Sequence, residues 1–80
     1  MDRTSIVELV RRYLQKLRSE SNLEIELVEE AVRQEEGWWY VPVRTEQEIK
    51  KRYRYYEELT DIETEMKQKE HVDVLLVPSG

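Results

Sequence analysis

The stretch WWYVPVR, Trp38–Arg44, constrains this chain more than any other, because it places apolar residues on both faces of any strand it forms. Successive side chains of a strand point to opposite sides of the sheet, so Trp38 and Trp39 cannot enter the same core. Trp39 shares its face with Val41 and Val43, a set that belongs in the interior. Trp38 shares the other face with Tyr40 and Pro42, and that face needs its own explanation. Pro42 has no amide hydrogen to give to a ladder, which predicts an edge position for the strand.

The neighbouring segments supply the rest of a small fold. Ser5 followed by Glu8 fits a capping box, and Ile6, Leu9, Val10, Tyr13, Leu14 and Leu17 recur at helical spacing behind it until SESN ends the helix. Leu23, Ile25 and Leu27 then alternate with Glu24 and Glu26, the period of a half-buried strand. That alternation slips after Val28, so the strand continues only with a shifted register, as a bulge would give. EEG reads as a hairpin turn with Gly37 at positive φ, returning the chain as WWYVPVR. A second helix is predicted over residues 46–69, capped by Thr45. Its apolar side is Ile49, Tyr53, Tyr56, Leu59, Ile62 and Met66, with Tyr55 at the margin. HVDVLLVP closes the chain as a strand that is apolar at nearly every position, presenting either Leu75 and Val77 or Val74 and Leu76 on the second face.

The order is helix, strand, strand, helix, strand. We expect a single α+β domain over residues 1–80, with a three-stranded sheet in order 2-1-3 and both helices on one face. Its opposite face is then open. The layout is like a split β-α-β unit lacking its first strand, an analogy of architecture that carries no function.

Charge and chemistry narrow the function classes. The 80 residues include no cysteine, which excludes disulfides and thiolate metal sites and suits a cytoplasmic protein. No span approaches the length of a membrane helix, and Glu8, Arg11 and Arg12 interrupt the apolar residues of the N-terminal segment. A formal charge of −5 opposes general nucleic-acid binding, although the charge alternates in blocks: residues 1–19 and 44–54 are basic, 20–36 and 57–73 acidic. With one histidine, two glycines and no phosphate-cradling loop, the chain presents no catalytic, cofactor or metal motif and is expected to be non-enzymatic. His71 and Asp73 would share a face of the last strand, a pairing that could orient an imidazole but is too small for a metal site.

Two functional readings remain. The first is a protein-interaction module, a homodimer or an adaptor, burying the open face around Trp38, Tyr40, Pro42, Leu75 and Val77; the edge of WWYVPVR adds a route by β-augmentation. The alternative is a single-stranded nucleic-acid accessory protein using the basic and aromatic stretch from Arg44 to Tyr56, with Arg44, Lys51, Arg54 and Tyr55 as contacts. Against it, Glu46, Glu48, Glu63 and Glu65 each precede a Lys or Arg by four, so most of these charges have partners on their own helix. A third reading, a nucleic-acid-like acidic surface from Glu24, Glu26, Glu30, Glu35 and Glu36, ranks below both.

Overall fold

In the computed structural model, which describes residues 2–45 and 52–78, helix α1 spans Arg3–Ser21. Its cap is Asp2 and not Ser5: the Asp2 carboxylate accepts the Ser5 amide at 2.8 Å, so the serine expected to cap lies one turn inside. Ile6, Val7, Leu9, Val10, Leu14 and Leu17 are buried, and Asn22 ends the helix in the left-handed region.

The predicted first strand divides in two. Strand β1 is Glu26–Leu27, a 3₁₀ turn follows at Glu29–Ala31, and strand β2 is Arg33–Glu35. Both pair antiparallel with β3, Trp38–Arg44: β1 opposite Val43 and Arg44, β2 opposite Trp38 to Tyr40. On its other side β3 pairs in parallel with β4, Val74–Pro78, through Trp39 to Val43. The sheet therefore has four strands, and WWYVPVR is central where the 2-1-3 order put it at the edge. Paired on both sides, it has no edge for β-augmentation.

The proline explains how this is possible. Trp39 N–H donates to Asp73 O on the β4 side at 2.9 Å, so by alternation the polar groups of Tyr40, Pro42 and Arg44 face β1 and β2. Val28 N–H donates to Pro42 O at 2.9 Å, the first half of an antiparallel exchange. Pro42 cannot return the second half. The Val28 carbonyl instead accepts Ala31 N–H at 3.1 Å, which opens the 3₁₀ turn that separates β1 from β2. Arg3 holds this turn to α1, its guanidinium donating to Glu29 O and, at 3.3 Å, to Val32 O.

Helix α2 is described over Arg52–Glu70; the predicted start of this helix, with Ile49 and Lys51, lies outside the described residues. Its buried residues are Tyr55, Leu59, Ile62 and Met66, spaced four, three and four. Both helices bury these stripes in one cluster with Trp39, Val41, Val43, Val74 and Leu76, so they cover the same face of the sheet. Lys16 of α1 reaches Glu65 of α2 at 3.5 Å. Along the outer edge of β4, Glu63 of α2 accepts the Leu76 amide at 2.7 Å. No helix among the described residues is long and apolar enough to cross a membrane.

The β2–β3 hairpin closes through Glu36 at φ 51° and Gly37 at φ 85°, two left-handed residues in succession, as a type I′ turn requires. A Cβ added at Gly37 meets nothing within 4 Å, so a side chain there is opposed by backbone conformation alone. Gly37→Ala should lower stability by about 1 kcal/mol in urea denaturation; an unchanged midpoint would mean that the turn relaxes to another type.

Candidate functional site

The face of the sheet away from the helices is built from alternate residues of three columns. Trp38, Tyr40, Pro42 and Arg44 of β3 form the middle column, and the registers set Glu35 beside Trp38, Arg33 and Leu75 beside Tyr40, Val77 beside Pro42, and Glu26 beside Arg44, with Asp73 just ahead of β4. The strand's alternation separates the tryptophans: Trp39 is 9% exposed and Trp38 41%. Leu75 and Val77 are exposed, and Tyr40 and Pro42 half-buried. The five residues singled out for an interface thus stand together on one apolar surface, with Trp38 the most exposed of them.

Charged side chains surround this centre in opposite pairs. Arg33 lies 5.3 Å from the centroid of the Tyr40 ring and 3.6 Å from Glu35. Arg44 is 3.3 Å from Glu26, and Lys67 pairs with Asp73. Each of these three pairs is neutral, in a chain of net charge −5. At the Trp38 end the surface dips into a groove of about 410 Å³ between β4 and α2, lined by Trp38, Val72 and Leu75 with Glu63, Lys67 and Asp73.

The nucleic-acid candidates among the described residues are not gathered into a comparable surface. Arg44 is bound to Glu26, Arg54 is exposed on α2, and Lys51 lies outside the described residues. Tyr55, expected at the helix margin, is 6% exposed and belongs to the core, where burial first and its neighbour Tyr56 second push its hydroxyl above the ordinary tyrosine value. A ring so placed cannot stack on a base. The exposed tyrosines are Tyr53, at 63%, and Tyr56, both assigned to the core by sequence. Spacing contained the answer: Tyr55, Leu59, Ile62 and Met66 keep a narrow stripe from which Tyr56 is a quarter-turn away and Tyr53 still further.

The acidic-surface reading also loses members to neighbours. Glu24 pairs with Arg18 at 3.2 Å, Glu26 with Arg44 and Glu35 with Arg33. His71 does not share a strand face with Asp73. It ends α2 in the left-handed region, its amide donating to Lys67 O at 3.2 Å, while Asp73 takes the Lys67 ammonium. Among the described residues no group of three or more His, Asp or Glu side chains is placed to hold a metal ion.

Two residues of this region were missed by sequence reasoning. Arg33 was invisible because the length of the irregular turn before it decides which face it takes. Glu63 was paired by spacing with Lys67, but tertiary structure gives Lys67 to Asp73 and Glu63 to the Leu76 amide. Comparison of the chain with protein-family models, with curated proteins and with solved structures gives no match.

Desolvation raises the Glu63 carboxyl above the ordinary carboxylate value, with the Leu76 amide pulling the other way. A carboxyl raised in the folded state holds its proton longer there than in the unfolded chain. Its contribution is fully present below the ordinary glutamate value and is lost as pH rises through the folded one. Wild type should therefore lose stability relative to Glu63→Gln as pH rises above the ordinary glutamate value in denaturant titrations. A constant difference across that range would show a fully solvated carboxylate.

Proposed function

We propose that this chain is a non-enzymatic protein-interaction module that associates with a second copy of itself through the open face of its sheet, around Trp38 and Tyr40. The observation that carries this reading is the exposure of Trp38, Leu75 and Val77 on strands whose alternate residues are buried. Contiguous apolar patches on small domains mark interaction sites, and tryptophan and tyrosine are frequent anchors of them. An apolar centre inside a polar rim is also the usual anatomy of an interface. The paired charges around Trp38 and Tyr40 favour a partner of the same kind, because an acidic chain meets less repulsion from its own copy here than its total charge imposes elsewhere. A chain without cysteine suits the cytoplasm.

A second reading rests on the exposure of Tyr53 and Tyr56 beside Arg52 and Arg54 on α2. Such a strip could stack unpaired bases and neutralise phosphates. It ranks second because the chain is acidic and its basic residue on β3, Arg44, is held by Glu26.

The two tryptophans separate folding from association. Trp39→Ala should cost about 3–5 kcal/mol, as large core truncations do. Trp38→Ala should leave the thermal midpoint nearly unchanged and abolish self-association measured by light scattering over a wide concentration range. Equal loss of folding in both would overturn the assignment of faces. For the second reading, a fluorescent single-stranded oligonucleotide should bind at low salt, lose affinity steeply as salt rises and be released by Tyr53→Ala with Tyr56→Ala; no binding at low salt removes it.

A further inference from the structure

We propose that the groove beside Trp38, between β4 and α2, receives a lysine side chain of a partner protein, its alkyl stem along the indole and Leu75 and its ammonium against Glu63. This site goes beyond self-association and does not depend on it. The groove measures about 410 Å³, and its lining passes from Trp38 and Leu75 on the open face, past Val72, to Glu63 and Lys67 on α2. Its charges are unequal. Lys67 is turned to Asp73, and these two cancel. Glu63 has no such partner: one of its oxygens accepts the Leu76 amide at 2.7 Å, and the other has no hydrogen bond or ion pair among the described residues. The carboxylate is half-buried with no cation beside it, and an incoming cation relieves the cost of that burial.

This arrangement separates an ammonium from other occupants. A neutral apolar group covers Trp38 and Leu75 but strips water from Glu63 without replacing it. A guanidinium binds a carboxylate best through two parallel hydrogen bonds, and Glu63 has a single oxygen to give. An ammonium is a point charge that one oxygen satisfies, and it is attracted to the face of an indole as well. The lysine stem buries against apolar walls while its head stays at a polar group.

The apolar surface continues past the mouth of the groove to Tyr40 and Val77, so the occupant is attached to a larger body; a free amine leaves that surface bare. A second copy set on the open face brings no free lysine to it, because its Lys67 is held by Asp73. The partner inferred from this groove is therefore a different protein, and it competes with a second copy for Trp38.

The test is a titration of isotope-labelled protein with the peptide acetyl-Leu-Lys-Leu-amide into the millimolar range, followed by nuclear magnetic resonance. Peptides with norleucine or arginine in place of the lysine, n-butylammonium, and the variant Glu63→Gln complete it. Glutamine keeps an oxygen for the Leu76 amide, and circular dichroism checks that the fold is retained. The expected result is saturable shifts centred on the Trp38 indole N–H and the Leu76 amide, with affinity lowered tenfold or more both for the norleucine peptide and in Glu63→Gln, and lowered also for the arginine peptide and butylammonium. Equal affinity of the lysine and norleucine peptides, binding unchanged in Glu63→Gln, or no shift at Trp38 would overturn the site. An arginine peptide that binds equally well would overturn the choice of ammonium, and butylammonium as tight as the peptide would overturn the protein source. None of these outcomes decides self-association, which light scattering reads separately.

Discussion

The fold depends on a hydrogen that is absent. Pro42 sits in the middle of a strand paired on both sides, a position from which proline is normally excluded because the ladder loses a donor. Here the unanswered group is one carbonyl, that of Val28, and the chain answers it locally by donating the Ala31 amide in a 3₁₀ turn. The partner of β3 is thereby cut into two short strands, and the register of the second is set by the length of the turn. Arg33 reaches the open face beside Tyr40 because of that length. One missing amide hydrogen thus fixes both the topology and part of the surface chemistry.

Much of the architecture was legible in the sequence. The helical stripe of α1, the turn at Gly37, the inward set Trp39, Val41 and Val43 and the two-faced character of WWYVPVR all follow from side-chain period, which burial enforces directly. What was not legible was relational. Proline was read by its general edge preference, whereas its actual cost depends on which acceptor loses a partner and whether another donor lies near. The ion pair expected between Glu63 and Lys67 failed for a similar reason: two residues four apart on a helix attract weakly, and β4 and the residue before it offered each a different partner.

The candidate surface divides along the same line. Its apolar members on β3 could be chosen from alternation alone, and Leu75 and Val77 up to a choice of register. The charged rim could not, since it is assembled from elements whose mutual placement only the fold provides. Tyr53, Tyr55 and Tyr56 mark an intermediate case. Their roles were decided by a helical period that was present in the sequence and was read too broadly.

The outer edge of β4 has a consequence for the kind of assembly available to this chain. Glu63 occupies the Leu76 amide, and Pro78 ends the strand without one, so two of the three outward positions of β4 offer no donor to a further strand. On the far side of the sheet β1 and β2 are two and three residues long, interrupted by their turn. Strand addition is the route by which sheets polymerise without limit, and here both margins resist it. The apolar surface is a face and not an edge, so the backbone of this sheet offers no ready template for indefinite strand addition.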